Sequence, residues 1–468
     1  MARHSTSGIQ VSSTSIPGLL RVDLDVRSDN RGWFKENWQR RTMGAAGLPD
    51  FGPVQQNMSF NTRRGVTRGI HAEPWDKLVS VATGRVFGAW VDLRPGEHFG
   101  RTFTAELGPE TAVFVPRGVG NAFQTLDDGT VYSYLVNDHW SPAAKDSYTF
   151  VNLADETLAI AWPIPLEQTD RSAADLEHPP LAQVVPMRPK PVLVVGASGQ
   201  LGRSLLAAWP EAVGIGRHHL DLSRPEAVAE FDLSPYGVVV NAAAYTRVDG
   251  AESGPGRREA WAVNVAGVAA LVRAAREHRC TLVHISSDYV FDGRNPTHDE
   301  DEPFSPLGVY GQTKAAGDAL VATWARHYVL RTSWVIGDGH NFVRTMAGLA
   351  ERGVSPSVVD DQHGRLTFTA ELARAIRHLL QAEAPFGTYN LSNAGPTQTW
   401  ADVAAEVFRL AGRDPADVIR VSTATYAEGK DLAPRPVHST LALDKITGAG
   451  FQPEEAAPAL QRYLADPG

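Results

Sequence analysis

The chain has 468 residues, more than one hydrophobic core usually holds, so we expect two or three domains. Its net charge of −9 and the lack of any lysine or arginine block argue against nucleic acid as a partner. The polar first 15 residues predict no signal peptide, no apolar run approaches the ~18 residues of a membrane helix, and a single cysteine excludes an internal disulfide. We therefore expect a cytoplasmic enzyme with no membrane partner and no cysteine-rich metal site.

The first 165 residues have the pattern of an all-β domain. Short apolar runs bounded by turn residues occur at 18–24, 77–82, 86–93, 112–116 and 131–136. Because few helical patterns separate these runs, they predict a sandwich or a barrel.

From residue 191 onward, apolar strands alternate with helical stretches. The strands are expected at 191–195, 237–241, 281–286 and 329–332. Continuous apolar strands that alternate with helices predict a parallel sheet. Between the two patterns, the proline-rich residues 179–190 predict an exposed linker.

A glycine-rich turn, Gly196-Ala197-Ser198-Gly199-Gln200-Leu201-Gly202, follows the first of these later strands. Its glycines would let the backbone close on a dinucleotide pyrophosphate at a helix N-terminus, although glycine turns also serve packing alone. The second strand, expected at 212–216, is followed by Arg217 rather than by an acidic residue. A cation there suits a 2′-phosphate, so we expect NADPH with NADH possible, the alternative being a merely solvated Arg217.

The next strands end in polar residues, where an open parallel sheet binds its ligands. Ser287 would hydrogen-bond a carbonyl oxygen that Tyr310 protonates, although a lone serine there is often only a helix cap. Tyr310 and Lys314 share one helix face, so we expect the ammonium to lower the pKa of the phenol. Together these residues predict hydride transfer to or from a carbonyl.

These motifs, together with Asn241-Ala242-Ala243-Ala244-Tyr245-Thr246 and Arg331-Thr332-Ser333-Trp334, resemble the extended short-chain dehydrogenases, and most closely dTDP-4-dehydrorhamnose reductase. The resemblance implies an α/β Rossmann domain over 191–468, with a small C-terminal substrate subdomain. It implies that Ser287, Tyr310 and Lys314 are catalytic and that Asp288 and Trp334 lie near the sugar. The expected cofactor-binding residues are Gly196, Gly199, Gln200, Leu201, Gly202, Arg217, Asp221, Leu222, Ala242, Ala243 and Tyr245.

The first half carries a second set of motifs. They are Asp29 to Glu36, Arg68-Gly69-Ile70-His71, Tyr134 ahead of Trp140-Ser141-Pro142, and Ser172-Ala173-Ala174-Asp175. In order and spacing they resemble dTDP-4-dehydrorhamnose 3,5-epimerase, which implies an all-β cupin-type jelly-roll barrel over residues 1–180, joined by a linker at 181–190.

The same resemblance implies the roles of individual residues. His71 would be the general base, oriented by Asp175, and Tyr134 would return a proton to the opposite face. Lys77 would stabilise the enolate oxygen, because a proton next to a ketone is acidic only when that charge is stabilised. The expected substrate-binding residues of this half are Arg31, Glu36, Asn57, Arg68 and Asn121.

Two departures from the epimerase pattern stand out. Asn121, in Gly120-Asn121-Ala122-Phe123, replaces a second histidine of the family, and residues 72–76 also differ. They leave open whether both C3 and C5 are epimerised.

The sequence thus predicts a bifunctional enzyme that epimerises dTDP-4-dehydro-6-deoxyglucose and then reduces the C4 ketone with NADPH, giving dTDP-L-rhamnose or a related deoxysugar. In one alternative only the reductase is a full enzyme, and the barrel is a single-carbon epimerase or a nucleotide-sugar binding or dimerisation module. In another, the protein is a non-catalytic regulator, which the intact Ser287, Tyr310 and Lys314 disfavour. By analogy with both families we expect a homodimer.

Overall fold

The computed structural model describes residues 8–465, and the chain divides into two compact units, Met1–Pro189 and Lys190–Gly468. No helix of the described range is both long and apolar enough to cross a bilayer. The two units have different architectures, which follow from the two sequence patterns.

Antiparallel strands dominate the first unit, with two short helices, α1 (Arg40–Ala45) and α2 (Ala173–Leu176). The strands are β1 (Gln10–Ser13), β2 (Leu20–Asp23), β3 (Val26–Asp29), β4 (Gly32–Lys35), β5 (Gln55–Asn61), β6 (Thr67–Ala72), β7 (Lys77–Thr83), β8 (Val86–Asp92), β9 (Thr102–Leu107), β10 (Thr111–Val115), β11 (Val119–Thr125), β12 (Thr130–Val136) and β13 (Thr149–Phe150). One sheet has the order β1-β2-β10-β7-β12-β5 and the other the order β13-β6-β11-β8-β9, while β3 and β4 form a separate hairpin.

The two sheets share a core. Val79 and Val113 of the first sheet pack with Trp90 and Phe123 of the second, and all four side chains are buried. Successive residues of a strand point to opposite faces, so each sheet contributes alternate side chains to this core. The cavity described below opens on the same faces, because Val79 and Phe123 of this core also line it.

Gly69 on β6 allows a close approach of two strands. Its φ of +123° lies in a region that other residues rarely adopt, and a Cβ there would come within 2.5 Å of the Ala122 Cβ on β11. The glycine therefore lets β6 and β11 pair tightly where His71 and Asn121 lie opposite one another.

The prediction of an exposed linker over residues 179–190 is wrong for part of the segment. Met187 is buried in a core cluster of the first unit, and its backbone N–H donates to the Leu93 carbonyl at 2.8 Å. The proline-rich composition predicted an exposed segment, but the apolar side chain of Met187 anchors this part of it to the core of the first unit.

The second unit contains a six-stranded parallel sheet of order β15-β14-β16-β17-β18-β23. The strands of this unit are β14 (Val192–Val195), β15 (Val213–Ile215), β16 (Val238–Asn241), β17 (Thr281–Ser287), β18 (His327–Thr332), β19 (Val335–Ile336), β20 (Ser357–Val359), β21 (His363–Gly364), β22 (Thr367–Phe368), β23 (Gly387–Leu391), β24 (Gln398–Thr399) and β25 (Ile419–Val421). The helices are α3 (Gln200–Ala208), α4 (Pro225–Glu230), α5 (Val248–Ala251), α6 (Gly254–Trp261), α7 (Val268–Glu277), α8 (Val309–Val321), α9 (Phe342–Glu351), α10 (Thr369–Gln381), α11 (Trp400–Leu410), α12 (Thr423–Ala427), α13 (Asp444–Gly448) and α14 (Ala456–Ala465).

Helices cover both faces of this sheet. Val194 packs on one face with helices α3 and α10, whereas Leu193 packs on the other face with α4 and α7. A third core joins α9, α11 and α14 in the C-terminal part of the chain. Because the strands are parallel, the carboxyl ends of β14, β16 and β17 meet at one edge of the sheet, where the ligand is expected.

Candidate active sites

A cavity of about 960 Å³ lies in the first unit and collects most of the residues predicted there. The predicted residues that line it are Asn57, Arg68, His71, Lys77, Asn121, Tyr134 and Asp175. His71 comes from β6 in one sheet and Tyr134 from β12 in the other, so the expected base and the expected acid reach the same cavity from different sheets.

The side chains of His71 and Asp175 are directly hydrogen-bonded to each other. The distance from His71 Nε2 to Asp175 Oδ1 is 3.0 Å, and the carboxylate is buried whereas the imidazole is partly exposed. Ser172 caps α2 and accepts a hydrogen bond from the Asp175 N–H at 3.1 Å, which fixes the acid. Burial tends to raise the pKa of Asp175, but the hydrogen bond from His71 and its charge outweigh burial and lower it. Asp175 is therefore an ionised partner that orients the imidazole.

Two further rings pack on His71, and neither was predicted. Phe150 on β13 and His178 each meet the His71 ring edge to face, with centroids 5.4 and 5.3 Å away, and they stack on one another at 4.7 Å. His178 follows Asp175 by three residues, and burial, followed by the charge of His71, lowers its pKa. The pairing of β13 with β6 brings Phe150 to His71, whereas His178 follows the short helix α2, so the sequence carried no local signal for this cluster.

Lys77 is held by an acidic residue that the sequence did not single out. Its Nζ lies 2.9 Å from Glu73 Oε2, and the Trp75 indole N–H donates to the same oxygen at 2.9 Å. Burial, then the negative charge of Glu73, raises the pKa of Tyr134. The phenol is thereby kept protonated, as a proton donor requires.

Some of the remaining residues predicted for this half line the cavity and others do not. Asn121 Oδ1 accepts a hydrogen bond from the Tyr132 hydroxyl at 3.0 Å, and the Arg68 Nε donates to Asn61 at 3.2 Å. Arg31 and Glu36 do not line the cavity: both are exposed, and Arg31 on the β3–β4 turn pairs with Asp29. The structure therefore brings Asn121 and Arg68 to this cavity but not Arg31 or Glu36.

The second unit contains a larger cleft, of about 1130 Å³, at the carboxyl edge of the parallel sheet. The predicted residues that line it are Gly196, Gly199, Gln200, Leu201, Arg217, Asp221, Leu222, Ala242, Ala243, Tyr245, Ser287, Asp288, Tyr310, Lys314 and Trp334. Gly202 does not line the cleft. A Cβ at Gly202 would fall 2.2 Å from the Gly196 carbonyl oxygen, so this glycine lets α3 pack against the turn.

The glycine turn fits a dinucleotide. Gly196 has a φ of +85°, and a Cβ there would lie 2.7 Å from the Ala243 backbone nitrogen. Gly199 is the N-cap of α3, which directs unpaired backbone N–H groups toward the turn. A backbone cradle free of side chains at a helix N-terminus is the arrangement that holds a pyrophosphate.

Ser287, Tyr310 and Lys314 lie together at the end of β17 and the start of α8. Ser287 hydrogen-bonds Tyr310, and its hydroxyl lies 2.8 Å from Asp288 Oδ1. The expectation that Lys314 lowers the phenol pKa is not met in the protein alone. Burial, and then the charge of Asp288, raises the pKa of Tyr310, while Lys314 Nζ bonds the Ile285 carbonyl at 2.6 Å instead. Tyr310 is therefore a protonated acid at neutral pH.

Arg217 lies among acidic residues at one end of the cleft. Its guanidinium contacts Asp221 at 3.2 Å and Glu259 at 3.8 Å, and Arg247 binds Glu259 at 2.7 Å. Both arginines are well exposed, so a 2′-phosphate could approach them. Arg247 and Glu259 line the cleft but were not predicted, because their approach depends on how α6 packs.

The opposite end of the cleft is aromatic. Trp334 stacks on Trp400 with ring centroids 3.7 Å apart, and Trp400 was missed because it lies 66 residues farther along the chain. Asp288 also lines the cleft, and burial raises the pKa of its carboxyl group to about 6, although its bonds to Ser439 and Ser287 lower it. The end near Tyr310 thus offers a flat apolar surface and a carboxyl group.

Each of the two units is similar to a different family of known proteins. A family model described as RmlD substrate binding domain matches residues 190–467, and one described as dTDP-4-dehydrorhamnose 3,5-epimerase matches residues 13–183. The protein RmlC homolog of Streptococcus pyogenes serotype M6 is 51% identical over 180 residues, 37% of this chain and 90% of that protein. The dTDP-4-dehydrorhamnose reductase of Streptomyces griseus is 41% identical over 275 residues, 56% of this chain and 88% of that protein. A Bacillus anthracis dTDP-4-dehydrorhamnose reductase structure in complex with NADP aligns with a TM-score of 0.55 and 31% identity, covering 59% of this chain and 99% of that one.

Proposed function

The chain belongs to the RmlD substrate binding domain family, whose model matches residues 190–467, and it carries a dTDP-4-dehydrorhamnose 3,5-epimerase domain at residues 13–183. On this basis we propose how its residues perform both reactions. It is a bifunctional enzyme of dTDP-rhamnose synthesis, an epimerase fused to an NADPH-dependent reductase, as the sequence predicted. The roles of single residues, by contrast, are proposals.

In the first unit, His71 removes the proton next to the C4 ketone. Asp175 holds the imidazole and balances the charge that it gains, and Lys77 stabilises the oxygen of the enolate. Tyr134 then returns a proton. One observation carries this assignment: the base on one sheet and the phenol on the other line the same cavity, so that the two faces of a sugar ring can be served by different groups.

In the second unit, Tyr310 donates a proton to the C4 oxygen while Ser287 hydrogen-bonds it. NADPH supplies the hydride when it is bound. Gly196 and Gly199 would hold the pyrophosphate, Arg217 with Arg247 would bind the 2′-phosphate, and Lys314 would bind the ribose next to the nicotinamide. Trp334 and Trp400 form the surface against which the sugar nucleotide packs.

Several finer features remain predictions. We infer that the two facing antiparallel sheets form a cupin-type jelly-roll barrel, that residues 1–180 and 191–468 are the two functional domains, and that the α9, α11 and α14 cluster is a substrate subdomain. We also predict a homodimer, a cytoplasmic location, some use of NADH, and no metal, membrane or nucleic-acid partner.

The decisive experiment uses dTDP-4-dehydro-6-deoxyglucose in deuterated water, first without and then with NADPH, followed by NMR of the product. We expect deuterium at C3 and C5 without NADPH and a reduced L-sugar with it. Deuterium at one carbon alone would identify a single-carbon epimerase. Reduction without any exchange would leave the first unit as a binding module.

A further inference from the structure

His178 lies beside the proposed base, although nothing in the sequence assigned it a role. One ring nitrogen of His178, one of His71 and a carboxylate oxygen of Asp175 all lie within 4.8 Å of one another. His178 lines the cavity, and its ring stacks on Phe150, which also packs on His71. The position of His178 relative to the His71 ring is thus fixed by packing.

Epimerisation by two groups creates a proton-transfer problem. His71 gains the proton taken from carbon, and Tyr134 loses the one returned to the other face. Before the next turnover the imidazolium must lose its proton and the phenolate must regain one. Asn121, which lies opposite His71 on β11, has no proton to exchange in the neutral range, and its side-chain oxygen already accepts from Tyr132.

We propose that His178 takes this proton from His71 through one bridging water and passes it to solvent, an inference that rests on the epimerase function proposed above. The proton leaves a His71 nitrogen for the water, a proton of that water moves to His178, and His178 releases it to bulk water. The Tyr134 phenolate is reprotonated from solvent, so the protons balance over one turnover.

The geometry and charges support this transfer. A water that bridges two nitrogens through hydrogen bonds of about 2.8 Å can span a separation of up to 4.8 Å. The titratable groups facing His178 are His71 and Asp175, and its ring also bonds the Gly69 backbone. Burial, then the charge of His71, lowers the pKa of His178, so it is neutral and able to accept a proton near pH 7. The His178 ring is partly exposed, and its buried Nδ1 has no hydrogen-bond partner within residues 8–465, so this nitrogen is available to a bridging water.

The test compares wild type with His178→Asn, His178→Ala and, as a matched control, His139→Asn, an exposed histidine outside the cavity. Epimerase turnover is measured by deuterium incorporation at C3 and C5. Loss of the relay should lower kcat about tenfold or more with little change in KM, and free imidazole should restore His178→Ala but not accelerate wild type. A circular dichroism spectrum and a thermal unfolding profile equal to those of wild type verify that the first unit of each variant is folded.

The outcomes separate the two proposals. No exchange by wild type would refute the epimerase function itself. Normal exchange by both His178 variants, or a loss that imidazole does not restore, would overturn the relay. Dialysis against EDTA should change nothing, and a loss of exchange that zinc restores would instead assign the three side chains to a metal.

Discussion

The Lys314 ammonium donates a 2.6 Å hydrogen bond to the backbone oxygen of Ile285, which ties helix α8 to the end of strand β17. Burial lowers the pKa of Lys314 to about 8, although the charge of Asp318 opposes this. Lys314 is thus charged below pH 8 and neutral above it. We expect NADPH oxidation to fall as the pH rises through about 8.

Replacing Lys314 by methionine should lower the rate of NADPH oxidation by about 10²-fold. The remaining activity should no longer fall as the pH rises through about 8. Lys430→Met, which changes an exposed lysine in the same way, should keep the wild-type pH profile. An unchanged profile in Lys314→Met would show that another group titrates.

Tyr310→Phe should separate the two activities. Because the buried phenol is the proposed proton donor, its loss should lower NADPH oxidation by about 10²- to 10⁴-fold. Deuterium exchange at C3 and C5 should continue at the wild-type rate, since the epimerase residues lie in the other unit. Tyr426→Phe, a partly exposed tyrosine outside the cleft, serves as the control. Full reduction by Tyr310→Phe would contradict the assignment.

Asp175→Asn should impair exchange without impairing reduction. The amide keeps the shape of the side chain but cannot balance an imidazolium, so we expect exchange to fall by about 10²-fold. Because the pKa of Asp175 is lowered from 3.8, its charge persists throughout the range above that value and is lost only in stronger acid. Wild-type exchange should therefore show no effect of Asp175 titration between pH 5 and 8. Asp146→Asn, an exposed acid outside the cavity, is the control, and equal rates for both variants would remove Asp175 from the mechanism.

Arg217→Ala should change the choice of cofactor. A guanidinium that binds a 2′-phosphate contributes charge-assisted hydrogen bonds of about 1.5–3 kcal/mol, so the KM for NADPH should rise by about tenfold or more. The KM for NADH, which lacks that phosphate, should change little. Arg224→Ala removes a comparably exposed arginine that does not line the cleft. Equal effects on both cofactors would mean that Arg217 is only solvated.

The sequence predicted the features that depend on local order. The strand runs, the glycine turn and the four-residue spacing of Tyr310 and Lys314 are properties of short segments, and these residues indeed line one cleft. The His71–Asp175 pair joins residues 104 positions apart and was expected only through a family resemblance.

What the sequence missed depends on packing between distant segments. His178, Glu73, Arg247 and Trp400 reach their sites through strand pairing and helix packing that no local pattern records. The pKa of Tyr310 was predicted with the wrong sign, because burial contributes more than the neighbouring ammonium, which bonds a carbonyl instead. Arg31, by contrast, carries a motif but lies on an exposed hairpin.

A buried ion pair should stabilise the second unit. Arg331 Nε lies 3.0 Å from Asp318 Oδ2, and both side chains are almost fully buried, at 5% and 2% exposure. Asp318→Ala would leave the guanidinium buried without its partner, so we expect a loss of about 3–5 kcal/mol in the free energy of unfolding. Asp318→Ala combined with Arg331→Met should recover part of that loss, because no buried guanidinium is left without its carboxylate. Glu406→Ala, which breaks the more exposed pair with Arg409, should cost less than about 1 kcal/mol. Urea unfolding of the second unit measures all three, and equal losses for Asp318→Ala and Glu406→Ala would show that the buried pair stabilises no more than a surface one.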